Sequence, residues 1–184
     1  MRILAISGSL RRGSHNTMLL RAAGELLPPE YELVFWDGLR DVPPYDEDVD
    51  AGEAPASVTV LREAIWEADA VLIATPEYNS SIPGALKNAL DWASRPFATN
   101  PLRGKPVAVV GASTGMFGAV WAQAELRKVL AAMGARIVDV EIAVGHAGEK
   151  FDEQGILLDD GVREQLGDAL ATLRAEAAPV LVPA

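Results

Sequence analysis

Short apolar runs of strand length alternate along this chain with stretches whose apolar residues recur every three or four positions. The first run, Ile3 to Ile6, opens into the turn cluster Ser7-Gly8-Ser9. Leu19, Ala23, Leu26 and Leu27 then recur at helical spacing, until Pro28-Pro29 withholds the next backbone donor. Tyr31 to Trp36 reads as a second strand, and a loop rich in Asp, Glu, Pro and Gly follows over 37–55. Val58, Leu61, Ile65 and Ala68 share one face of a second helix. Ala70 to Thr75 is continuously apolar, as expected of a strand buried on both faces. Beyond the loop from Pro76 to Pro83, a third helix presents Leu86, Ala89, Leu90 and Ala93 and stops at Pro96. Val107 to Val110 is a fourth buried strand, entering the loop Gly111 to Gly118. Leu126, Val129, Leu130 and Met133 mark a fourth helix with Gly134 as its cap. Val138, Val140 and Ile142 alternate with Asp139 and Glu141, which predicts a half-exposed edge strand. A surface connection over 145–161 leads to a last helix carrying Val162, Leu166, Leu170 and Leu173.

This order, βαβαβαβαβα, predicts an α/β domain spanning 1–184. The expected core is a doubly wound, five-stranded parallel sheet in the order 2-1-3-4-5, with helices on both faces. Ligands of such sheets bind beyond the carboxyl ends of the strands, where the order reverses. Here that point lies between the loops leaving the first and third strands, with the loop after the fourth beside them. These are also the three least ordinary segments of the chain.

Composition narrows the chemistry. The absence of cysteine excludes disulfides, thiolate catalysis and cysteine-held iron–sulfur clusters. A net charge of −10 disfavours nucleic acid and anionic membrane surfaces as partners. No apolar run approaches the roughly 20 residues of a membrane span, and the first is shorter than the ~7–15 residues of a signal peptide core. A cytoplasmic protein is the expectation. His15 and His146 lack metal-ligand spacing.

Against that acidic background the first loop, Gly8-Ser9-Leu10-Arg11-Arg12-Gly13-Ser14-His15-Asn16-Thr17, gathers hydroxyls and cations just before a helix. A helix start offers unpaired N–H groups and a positive dipole end to an anion. Ser9, Ser14 and Thr17 add hydroxyls, Asn16 an amide and Arg11 a donor fork. Neither the Walker spacing nor GxGxxG is present, and a plain capped turn is an equal alternative for this loop taken alone. In Pro76-Glu77-Tyr78-Asn79-Ser80-Ser81-Ile82-Pro83-Gly84, two prolines stiffen a loop able to present backbone groups to a flat ring, with Tyr78 as a wall. The alternative is a rigid crossover turn. The three glycines of Gly111 to Gly118 permit close backbone approach, or serve turn geometry alone.

Together these segments resemble the NAD(P)H-dependent FMN reductases, with the related quinone, chromate and azo-dye reductases of flavodoxin-like fold. The resemblance rests on Gly8 to Asn16, on Pro76 to Trp92, and on Gly111-Ala112-Ser113 with Gly118, Gln123 and Leu126-Arg127. It implies that Ser9, Arg11, Ser14, Asn16 and Thr17 hold the FMN phosphate. Pro76, Glu77, Tyr78 and Asn79 would line the ring, and Ser113, Thr114 and Gly115 would contact it from the strand-four loop. It further implies NADPH or NADH as donor, a small-molecule electron acceptor such as a quinone, and no catalytic side chain in the narrow sense. A homodimer or homotetramer would pair the helices that carry Leu86 to Ala93 and Leu126 to Met133. The family's small or basic residues at the start of the latter helix are replaced here by Val120-Trp121. Two rival readings share the fold: a flavodoxin-type one-electron carrier, and a phosphate-binding regulatory domain.

Outside these loops, Asp46 to Asp50 reads as a solvated face, with Tyr45 within reach of the flavin. Trp36 and Trp66 read as core or boundary residues. Trp92 and Trp121 are anchors for a core or a subunit contact. Arg95 and Arg127 read as partners for acids across an interface.

Overall fold

The computed structural model describes residues 1–178. Its strands are β1 (Arg2–Ser7), β2 (Glu32–Trp36), β3 (Ala70–Thr75), β4 (Pro106–Ala112), β5 (Arg136–Ile137) and β6 (Ile142–Val144). All pairings are parallel, in the order β2-β1-β3-β4, with β5 and β6 both lying along β4. The expected 2-1-3-4-5 arrangement is therefore present.

Alternation along the central strands divides the core into two layers. Leu4, Ile6, Val71, Ile73, Val107 and Val109 face α3 (Ala56–Glu67), α4 (Gly84–Ala93) and α5 (Val120–Ala132). Ile3, Ala5, Leu72, Ala74, Ala108 and Val110 face α1 (His15–Leu26) and α6 (Asp160–Ala177). Packing on both faces is why these strands are apolar throughout.

The fifth strand departs from its expected continuity. Val107 pairs with Ile137 and Val110 with Ile142, so three steps along β4 are matched by five on the partner segment. The surplus bulges out, and Val140 N–H turns back to the Val138 carbonyl at 2.9 Å.

Three further expectations are corrected. The acidic loop contains the short helix α2 (Glu47–Asp50), and its Asp50 is drawn in to Arg62 at 2.8 Å. Trp66 is 69% exposed, because it follows Ile65 on α3 and so lies about 100° round from the buried face. The connection over 145–161 buries Ala147, Phe151 and Leu157 against the α1/α6 layer instead of lying on the surface.

Candidate active site

The three unusual loops converge at the carboxyl ends of β1, β3 and β4. The first is seated on the sheet by Gly8 N–H, which donates to the Ala74 carbonyl at 2.8 Å. A Cβ on Gly8 would meet the end of the Leu86 side chain at 2.9 Å, so glycine lets this loop approach the start of α4 without displacing that side chain. Ser7 Oγ then accepts from Ser9 N–H and from the Thr17 hydroxyl, and Ser9 Oγ accepts from Arg11 N–H. From outside, Arg40 donates to the Leu10 carbonyl at 2.8 Å.

Ser14 is buried at the N-cap of α1, yet its hydroxyl makes no capping bond, and the first turn of α1 holds no acid. That helix end keeps its donors and its positive dipole for something else.

The second loop is a tight hairpin. Tyr78 and Ser81 exchange backbone hydrogen bonds at 3.0 and 3.1 Å, while Asn79 (φ 53°) and Ser80 (φ 59°) both take left-handed backbone. Two consecutive positive φ values define a type I′ turn. Tyr78 is left 49% exposed at its base. Glu77 turns the other way: its Oε2 accepts from Trp121 and Ala122 N–H at 3.1 and 3.0 Å. It thereby caps α5, whose own N-cap residue, Ala119, has no side-chain oxygen to offer.

The third loop is locked to the segment after β6. Ser113 N–H donates to the Val144 carbonyl, Ala147 N–H to the Ser113 carbonyl and His146 N–H to the Gly115 carbonyl, each at 3.0 Å. Contact is so close that a Cβ on Gly118 would lie 2.2 Å from Ala143, and one on Gly145 2.2 Å from Met116. Buried Gln123 spans the joint, donating to the Gly118 and Ile142 carbonyls.

Between the loops lies a cleft of about 430 Å³, counting its open mouth. Of the residues singled out in the sequence, Ser9, Arg11, Ser14, Asn16, Pro76, Glu77, Tyr78, Ser113 and Thr114 line it, together with His15 and Ala112. Thr17, Asn79 and Gly115 are not in its wall. Thr17 is turned to Ser7, Asn79 sits at the hairpin tip, and Gly115 lies further along the third loop.

Tyr45 is likewise outside the cleft. It packs edge-on against Trp92 at 5.0 Å, in a separate depression with Arg62 and Arg95. Trp92 is fully buried, so only Trp121 of that pair is available at a surface. Arg127 is an internal brace: it donates to the Val109 and Val140 carbonyls and to Gln123, and approaches Glu141 only at 4.0 Å. Burial lowers its pKa, against the pull of Glu141 and Asp139. The sequence signal for such a brace is slight: one Gln and one Arg, a turn apart, bordering the apolar face of α5.

His15, which the sequence pattern marks only as lacking metal-ligand spacing, also stands in this wall. Its pKa is lowered by burial first and by the nearby Arg11 charge second.

Residues 1–149 match the family described as NADPH-dependent FMN reductase. The chain is 45% identical to an NAD(P)H-dependent FMN reductase of Pseudomonas aeruginosa, over 95% of this chain and 94% of that one. It is 40% identical to a quinone reductase of Escherichia coli K12, covering 90% and 89%. Among solved structures it resembles FerB, a flavoenzyme NAD(P)H:(acceptor) oxidoreductase of Paracoccus denitrificans. There the TM-score is 0.85 at 36% identity, over 95% and 96% of the two chains.

Proposed function

Because the chain belongs to the NADPH-dependent FMN reductase family, we propose that the cleft holds FMN and serves the reduction of a quinone or similar small acceptor. The observation that carries this reading is the uncapped start of α1 facing Arg11 and the hydroxyls of Ser9 and Ser14. A donor set with a cation and no acid in the first turn of the helix fits a terminal phosphate. Beyond it, Pro76 to Tyr78 and Ser113–Thr114 form walls for a planar ring, stiffened by two buried prolines and the I′ turn.

Bound there, FMN would supply two-electron chemistry, accepting a hydride from NADPH or NADH and yielding it to the acceptor. The protein's part is positional. Arg11, Ser9 and Ser14 hold the phosphate end. Asn16 keeps the first and third loops at a fixed separation, and Thr17 braces the first loop through Ser7. Glu77, by capping α5, holds the second loop against the helix that follows the third. The half-exposed Tyr78 faces the mouth where donor and acceptor enter in turn, with Asn79 at the adjacent hairpin tip and Gly115 following the wall residues Ser113 and Thr114 on the third loop. No side chain is required as acid, base or nucleophile.

Pairing of two or four copies is proposed along α4 and α5, where Trp121 of α5 and, in the loop just before it, Met116 and Phe117 stand exposed. Among the described residues no helix is long and apolar enough to cross a membrane. The reading places the protein in the cytoplasm, with its nicotinamide donors.

The test is steady-state oxidation of NADPH and NADH by flavin-loaded protein against a panel of quinones and free FMN. Turnover with a quinone is expected. Flavin uptake without nicotinamide oxidation would overturn the reading in favour of an electron carrier.

A further inference from the structure

His15 opens α1 and stands in the cleft wall beside Arg11. Its ring lies nearly parallel to that of Phe151, at 5.8 Å and 24°. Phe151 is itself 7% exposed and anchored in the α1/α6 layer. The imidazole therefore rests against a fixed apolar plate. Two potential cations, Arg11 and His15, thus border the same small space at the dipole-positive end of a helix. With nothing anionic between them they repel.

We propose that His15 is a second cationic ligand of the cofactor phosphate, taking up a proton as the phosphate arrives, so that FMN binding is coupled to pH. The proposal rests on FMN being the ligand of the cleft. It goes beyond that reading in giving the chain a proton-linked clamp.

The charges around the ring favour this. Arg11 acts on it from its own loop, while Arg12 is exposed. On the segment bearing Phe151, Lys150 is held by Asp159, and Asp152 accepts from Gln154 and Ile156 N–H. Glu149 and Glu153 on that segment are exposed. Across the cleft, Glu77 is occupied with α5. Among the described residues it is burial and Arg11, and not a carboxylate, that shift the ring, holding its pKa below the ordinary value. A phosphate bearing nearly two negative charges reverses the balance and raises it. Binding then gains as pH falls from above the bound-state pKa towards the lower, phosphate-free one, roughly tenfold for each unit of separation.

The experiment titrates flavin-free protein with FMN and with riboflavin, which lacks the phosphate, across about pH 5–8, the range in which His titrates. The parent is compared with His15→Gln and with His15→Phe, which keeps a ring against Phe151. Protonation of the FMN phosphate itself affects all three proteins alike, so the His15 contribution is the difference between profiles. A pH-dependent gain in FMN affinity about tenfold greater in the parent than in either variant is expected, with riboflavin profiles unchanged. In parallel, NMR of the parent follows the ring pKa of His15, one of only two histidines, without and with FMN. A rise on binding is expected. Identical FMN profiles in parent and variants, or a ring pKa that does not rise, would overturn the proposal alone. A parent that binds neither flavin overturns the cofactor reading and the proposal with it.

Discussion

Asn16 and Ala112, 96 positions apart, exchange a reciprocal pair of hydrogen bonds: Asn16 Nδ2 donates to the Ala112 carbonyl, and Ala112 N–H donates to Asn16 Oδ1, both at 2.9 Å. The side chain behaves as a strand would, satisfying both backbone groups at the end of β4, and it joins the phosphate end of the cleft to the ring end. One amide hydrogen remains for a ligand. Asn16→Ala strands two buried backbone groups at about 1–3 kcal/mol each, so a loss of about 2–6 kcal/mol is expected. Urea denaturation of the flavin-free protein measures it. A variant of unchanged stability that merely binds FMN more weakly would show Asn16 to be a ligand and not a frame.

Arg11→Ala is expected to weaken FMN binding by roughly ten- to a hundredfold, the equivalent of about 1.5–3 kcal/mol for a charge-assisted bond. Arg11 is exposed and its neighbours are Leu, Arg and Gly, so the melting temperature should hold. Because one ion pair with phosphate is lost, affinity should also respond less to salt. Flavin fluorescence titrations at two ionic strengths read both effects, with Arg12→Ala as the control that changes little.

Gly118→Ala tests the joint between the third loop and β6. Gly118 has φ +58°, and its added methyl would sit 2.2 Å from the backbone of Ala143. Strain and overpacking each cost about 1–3 kcal/mol, so a destabilisation of about 2–6 kcal/mol is expected. Hydrogen exchange should quicken at Ser113, His146 and Ala147, the amides that bind across this joint. Gly13→Ala, where a Cβ meets nothing within 4 Å, should be close to neutral.

Acid should loosen the start of α6. The hydrogen bond from Lys150, and after it that from Val162 N–H, hold the Asp159 carboxyl below the usual carboxylate range. A folded-state pKa below the unfolded value contributes stability that is complete above the unfolded pKa and is lost as pH falls through the folded one. Asp159→Asn removes that contribution, so the variant should lose less stability than the parent as pH drops from about 6 to about 3. Melting curves across this range give the comparison.

Continuous apolar runs made β1, β3 and β4 legible, and with them the place where the cleft had to lie. Ser9, Arg11, Ser14 and Pro76 to Tyr78 followed from residue type and position after a strand. Less visible was how individual side chains spend their hydrogen bonds. Nothing in Glu77 as a residue says that it caps a helix beginning 43 positions later, and nothing in Thr17 says that its hydroxyl faces Ser7. Such choices depend on which groups folding leaves without partners. The alternation from Val138 to Ile142 suggested an unbroken strand because period two records which side chains are buried. It does not record whether the backbone keeps step with its neighbour. Trp66 misled for a related reason: hydrophobicity argued for burial, whereas helical phase put it outside.

The broken fifth position has a consequence for how molecules meet. An unpaired strand at the rim of a sheet is a template onto which a strand from another chain can zip. Here that rim offers two residues, then a bulge, then three. Arg127 already occupies the Val140 carbonyl at the break, and acidic Asp139 and Glu141 flank it. A foreign strand would find no run of free backbone in register and would meet like charge if it were acidic, as this chain is. The interruption that defeats a simple reading of the pattern thus guards this edge against aggregation.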